Sequence, residues 1–194
     1  MHEQARRFTL WAKEVLPAAF DSVRVLDAGG GDINGNNRFL FTNSIYHAND
    51  VVAAPNATIV SKTKDLDIAD GSLDTVISTE CFEHDMEWVA SITKIIALLK
   101  VGGTFVFSCA STGRPEHGTR RTTPHDSYSA SLPEWSDYYK NLTAYDVRSI
   151  PGFAETFPNC QFYYNAESRD LYFLGIKQTE LQTPDYQATA TSRC

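Results

Sequence analysis

The run Val23-Arg24-Val25-Leu26-Asp27-Ala28-Gly29-Gly30-Gly31-Asp32 constrains this chain more than any other. A short β-rich stretch ends on a carboxylate, and three glycines follow at once. A strand that stops there and turns on bare backbone lets a ligand approach the main chain closely. A dinucleotide site wants Gly-x-Gly-x-x-Gly, but counting from Gly29 and Gly31 the last glycine position is Asn34. Asp27 would also repel a pyrophosphate and attract a cation.

A second acidic strand end follows. Ser44-Ile45-Tyr46-His47-Ala48 is β-rich and closes on Asn49-Asp50, 23 residues beyond Asp27. A carboxylate at such a tip accepts hydrogen bonds from a ribose diol. Read singly, the glycines are a strand-to-loop connection and Asp50 opens a turn. In register at neighbouring strand ends, they point to a nucleoside site.

Further strands are predicted at Ala57–Val60, Leu73–Ser78 and Thr104–Cys109. An amphipathic helix is predicted over residues 3–16, with Phe8, Trp11, Ala12 and Val15 on one face. Another runs from about Phe82 to Lys100, striped by Val89, Ile92, Ile96 and Leu99 and stopped by Gly102-Gly103. Residues 111–145 are polar and aromatic, too long for an ordinary connection, and read as a lid. Thr143 is placed to cap a helix after it. Gln161–Asn165 and Asp170–Lys177, four residues apart, form a hairpin. The expected fold is therefore α/β: a seven-stranded, mostly parallel sheet, helices on both faces, and a C-terminal antiparallel hairpin. Residues 1–178 form a single domain, and 179–194 a tail.

With 17 Lys+Arg against 24 Asp+Glu, the net charge of −7 argues against a nucleic-acid or anionic-membrane partner. Cys81, Cys109, Cys160 and Cys194 lie far apart, as in a reducing compartment. Apolar runs such as Ile95–Leu99 are short for a membrane span, and no signal core precedes them. A soluble cytoplasmic protein is expected.

From Val25 to Ser111 the chain resembles a class I S-adenosylmethionine-dependent methyltransferase, which has a Rossmann-like fold. The matching pieces are Leu26–Gly31, Tyr46–Val51, Asp70–Ser78, Glu80–His84 and Leu98–Gly103. The resemblance implies S-adenosylmethionine as cofactor. It places Asp27, Gly29, Gly31, Thr79 and Glu80 beside the methionine part, Asp50 on the ribose and Val51 against adenine. The family often has an Asp near Lys62 for the adenine amine; Asp65 or the backbone near Leu66 stands in here. Ile33 replaces a further glycine, and Asn34–Phe41 is short for the usual first helix.

Methyl transfer to a hydroxyl needs alignment and a base. His84, opening a helix, is one candidate base, with Glu83 beside it to orient the ring or bind the substrate; His117 in the lid is another. Arg114, Glu116 and His125 are candidate acceptor contacts, and the rings of Trp135 and Tyr138 suit a sugar face. The spacing of Glu116, His117, His125 and Asp126 matches no established metal motif, and no metal is assigned. Gly113–Thr119 with Asn141-Leu142-Thr143 also resembles methyltransferases of glycan or capsule assembly. The expected activity is methylation of a hydroxyl on a sugar, glycan or other small molecule. N-methylation, a nicotinamide oxidoreductase and a non-catalytic scaffold remain alternatives. A homodimer, or a place within a larger transferase, is left open.

Overall fold

The structure, a computed structural model, describes residues 2–178; the tail and Cys194 lie outside them. Its strands are β1 (Arg24–Ala28), β2 (Ile45–Asp50), β3 (Ile59–Val60), β4 (Leu73–Thr79), β5 (Leu99–Ala110), β6 (Gln161–Asn165) and β7 (Asp170–Ile176). Its α-helices are α1 (Glu3–Val15), α2 (Trp88–Leu98), α3 (Ala144–Arg148) and α4 (Phe153–Thr156). The strands form one sheet in the order β3-β2-β1-β4-β5-β7-β6. The first five run parallel, and β7 lies antiparallel between β5 and β6. The chain progresses one way from β1 to β3 and the other way from β4, so a crevice opens beyond the carboxyl ends of β1 and β4.

Side chains alternate across the sheet and build two cores. One joins Leu26, Val76, Phe105 and Phe107 to Ile92, Ile95 and Ile96 of α2 and to Val147 and Phe153 of α3 and α4. The other joins Val25, Ile77 and Val106 to Phe8 and Ala12 of α1. Phe8 also stacks on Tyr172, centroids 4.5 Å apart, so α1 covers the β5/β7 side. Thr143 caps α3 in a reciprocal box with Asp146.

Two boundaries differ from the sequence reading. α2 begins at Trp88 rather than Phe82, because side chains capture the preceding backbone. Asp85 accepts from the Glu87 N–H at 2.7 Å, and Glu83 anchors the stretch to β5 by accepting from the Ala110 N–H at 3.2 Å. Gly102 and Gly103 do not stop the helix; they lie inside β5, which begins at Leu99. Gly102 has φ +83°, and a Cβ on Gly103 would fall 2.9 Å from the Lys100 carbonyl, where the β4–β5 register shifts. Glycine here serves a strand irregularity. No helix among the described residues is long and apolar enough to cross a membrane.

Candidate active site

A cavity of about 390 Å³ opens at the carboxyl ends of β1, β2 and β4, roofed by residues 111–145. Asp27, Gly29, Gly31, Asp50, Val51, Thr79, Glu80, His84, Arg114, Glu116, His117 and Trp135 all line it. The carbonyl of Asn49 accepts from the Gly30 N–H, and Asn56 donates to the Gly30 carbonyl, so neighbouring loops hold the glycine turn. Gly29 has φ +68°, and a Cβ there would sit 2.1 Å from Cys81 Sγ. On Gly31 a Cβ would meet Asp50 Oδ2 at 2.4 Å and the Tyr128 ring at 2.8 Å.

Asp27 is buried, with Oδ1 accepting from Asn37 Nδ2 at 3.0 Å and Oδ2 from the Tyr46 hydroxyl. Burial pushes its carboxyl up to about 6, against the pull of those neutral donors. Asp50 accepts from the Gly31 N–H at 3.0 Å and the Val51 N–H at 2.7 Å. Burial raises it as well, and these backbone donors oppose the rise. No cation pairs with either carboxylate among the described residues, so both offer their charge to the cavity.

Glu80 stands at the tip of β4 with φ +55°, a strained conformation of the kind that collects at functional sites. Its Oε1 accepts from Ser108 at 2.7 Å and its Oε2 from His2 Nε2 at 3.0 Å. The same His2 nitrogen lies 2.9 Å from Asp170, whose other oxygen is 2.9 Å from Arg114. Burial opposes a charged His2, but the hydrogen bonds and charges of Asp170 and Glu80 win and raise it to about 10. A protonated ring donates from Nδ1 to Gln4 at 3.1 Å; the 3.4 Å approach of the Ala5 N–H is then no hydrogen bond. Burial pushes Glu80 up, but His2 more than offsets it, and Glu80 titrates below its usual range.

At the acceptor end the rings of His84 and His117 meet edge-on, centroids 5.0 Å apart, with Tyr139 packed on both. Burial, reinforced by His117, pulls His84 down to about 3, so it is neutral at physiological pH. His117 Nδ1 lies 3.1 Å from the Pro115 carbonyl; donation there leaves Nε2 as the lone-pair nitrogen. Glu83 is fully buried behind this pair rather than on the cavity wall, its Oε1 4.0 Å from His117 Nε2. Burial, then the charges of Glu80 and Asp170, push it well above the carboxylate range.

Several expected site residues lie elsewhere. Asp65 is exposed and paired with Lys64, and Leu66 is in the core; Thr63 and the buried Asp85 line the cavity in their place. His125 points to solvent, 80% exposed, beside Asp126. Trp135 lines the cavity but is buried under the Lys62 ammonium, and Tyr138 packs on the core, so neither is an exposed platform for a sugar. Sequence reasoning missed Asn37, which joins Asp27 to Thr79 Oγ1, and Tyr128, whose hydroxyl donates to the Asp32 carbonyl. Nothing local marks either residue.

A family model described as a methyltransferase domain matches residues 40–107, a minority of the chain but within the span where the sequence resembles such enzymes. No curated protein matches the sequence. Among solved structures, 1,6-didemethyltoxoflavin-N1-methyltransferase of Burkholderia thailandensis, solved with S-adenosylhomocysteine, superposes with TM-score 0.63 at 17% identity. That match covers 91% of this chain and 79% of the other. Phosphoethanolamine N-methyltransferase 2 of Haemonchus contortus gives 0.62 at 14% identity over 90% of this chain. The chain spans about half that enzyme's length, 53%. A putative O-methyltransferase of Nostoc punctiforme gives 0.57 at 16% identity, covering 89% of this chain and 56% of the other. These likenesses establish a Rossmann-like methyltransferase fold.

Proposed function

We propose that this chain is a class I methyltransferase that moves a methyl group from S-adenosylmethionine to a hydroxyl of a sugar or other small molecule. One observation carries the reading: a single cavity joins the Asp27–Gly31 turn and Asp50 to the His84–His117 wall. Its size suits a nucleoside-sized ligand with an acceptor beside it. Asp27 and Asp50, which have no cationic partner among the described residues, favour a positively charged ligand. The Oδ1 of Asn37, buried and without a hydrogen-bond partner, is a further acceptor waiting in the wall. S-adenosylmethionine supplies an electrophilic methyl on a cationic sulfur.

Asp50 holds the ribose hydroxyls, Val51 borders the adenine, and Asp27, Asn37, Thr79 and the bare glycine turn border the methionine part. The lid excludes water. The acceptor oxygen forms its new bond to the methyl carbon as the carbon–sulfur bond breaks, with that electron pair passing to sulfur. His117 Nε2, its ring fixed by Pro115 and by His84, takes the hydroxyl proton in this reading. His84 Nδ1, buried and unpartnered, adds a second polar atom to the same wall.

The experiment is a screen of small hydroxylated acceptors scored by S-adenosylhomocysteine release, with calorimetry of cofactor binding alongside. The expected result is cofactor binding by wild type and a turnover loss of about 10²–10⁴-fold in His117→Ala with cofactor affinity retained. No binding of S-adenosylhomocysteine overturns the reading. Full turnover in both His117→Ala and His84→Ala moves it to N-methylation, where a base is less needed.

A further inference from the structure

We propose that Glu83, His84 and His117 form a binding site for a divalent first-row transition cation at the acceptor end of the cavity. One ligand atom from each, a carboxylate oxygen and two ring nitrogens, lies within 4.8 Å of the others. Bonds of about 2.0–2.2 Å to a central ion would draw these atoms to roughly 3 Å apart. His117 Nε2 lies 4.0 Å from Glu83 Oε1, and because the lid carries His117 a small loop movement brings it onto an ion held by the Glu83 carboxyl.

Two buried atoms in the cluster have no other work. Glu83 is 0% exposed and His84 5%, yet Glu83 Oε2 and His84 Nδ1 have no hydrogen-bond partner. Leaving such atoms unpaired is costly, and a bound ion or water is what usually satisfies them. His117 is oriented as metal-bound histidines are, one ring nitrogen on a backbone carbonyl and the other free. By contrast, the neighbouring His2–Glu80–Asp170 cluster is already neutralised by its own imidazolium and by Arg114. It has no vacancy for an ion.

Two imidazoles and one carboxylate, Glu83 releasing its proton to water as the ion binds, favour a first-row transition ion over Mg²⁺ or Ca²⁺. Three protein ligands leave coordination positions open, and both histidines border the cavity, so the open side faces the acceptor. There the ion binds the acceptor oxygen, acidifies its hydroxyl and replaces His117 as the means of deprotonation; the proton leaves to water. Ion binding stands independently of methyl transfer, whereas the acceptor's place on the ion rests on the methyltransferase reading. The sequence hid this site because His117 lies 33 residues beyond His84, with no fixed spacing to betray it.

The test titrates Co²⁺ into tag-free, chelator-stripped full chain and follows visible absorption, without cofactor. The expected result is saturation at about one ion per chain, undisplaced by excess Mg²⁺. Glu83→Gln and His117→Ala, checked for fold by circular dichroism, weaken binding about 10-fold or more. Should buried Glu83→Gln misfold, the lid variant His117→Ala carries the test. Absence of a saturable signal in wild type, or wild-type affinity in His117→Ala, overturns the site. Calorimetry with S-adenosylhomocysteine on the same ion-free protein separates the two readings: Co²⁺ bound without it retains the ion site and removes the methyltransferase.

Discussion

At one end of the cavity, Asp27 and Asp50 stand on or beside strand tips whose paired neighbours fix the backbone. At the other, His117 hangs on residues 111–145, which cross the opening with two short 3-10 turns, Pro124–Asp126 and Tyr128–Ser131, and bring Tyr128 back onto Gly31. The strand-tip end is built from short-range rules: a β-rich run, a carboxylate, glycines. The lid end depends on distant contacts, such as the Tyr128 hydroxyl on the Asp32 carbonyl, 96 residues away. Rigid scaffolding serves the part of a ligand that never changes, and a loop serves the part that varies between enzymes.

Asp50→Ala attacks the rigid end. It removes the acceptor of the Gly31 and Val51 N–H groups together with the proposed ribose contact. Charged hydrogen bonds of this kind are worth about 1.5–3 kcal/mol, so affinity for S-adenosylhomocysteine should fall about 10- to 100-fold by calorimetry. An unchanged affinity would mean that the strand tips do not hold the nucleoside, and the contrast between the two ends would lose its basis.

Gly29→Ala probes where the ends join. The left-handed backbone and the collision with Cys81 Sγ strain the glycine turn and the chain leading to Glu83 and His84 at once. A loss of about 1–3 kcal/mol in urea unfolding is expected. Adding Cys81→Ala removes the sulfur contact and should recover part of it, leaving the backbone strain and the 2.7 Å approach to the Cβ of residue 81. Full additivity of the two changes would show that the turn and the acceptor wall are not coupled through this contact.

The same division explains what could be read from the chain. All seven strands, the hairpin and the Thr143 cap follow from period and punctuation, because each depends on neighbours in sequence. Asp27, Gly29, Gly31, Asp50, Thr79 and Glu80 reach the cavity for the same reason: a parallel strand delivers its last residues to the ligand side of the sheet. Asp65 and Leu66 fail because the turn Thr63–Asp65 rotates Thr63, not its successors, toward the cavity. His125 and Tyr138 stay off the cavity, and Trp135 lines it only as a buried ring, because composition names a lid without saying which of its faces is buried. Phe82–Glu87 reads as helical by charge, but Asp85 spends its carboxylate on the Glu87 N–H and holds that end as a turn, while Glu83 reaches across to the Ala110 N–H of β5.

The smallest expected effect concerns α1, the helix that ties the chain's beginning to the site. His2 sits between Glu80 and Asp170, and its folded value of about 10 lies above the ordinary 6.5. A group raised on folding holds its proton more tightly in the native state. Its stabilisation is therefore complete below pH 6.5, declines above it, and is lost as pH passes about 10. The urea midpoint should fall across that window in wild type and fall less steeply in His2→Gln, which keeps a donor but has no charge to lose. Because Glu80 borders the cavity at the strained tip of β4, this ion pair also steadies one wall of the rigid end. Equal slopes in the two proteins would show that neutral contacts anchor α1, and that the strand tips keep their geometry without its charge.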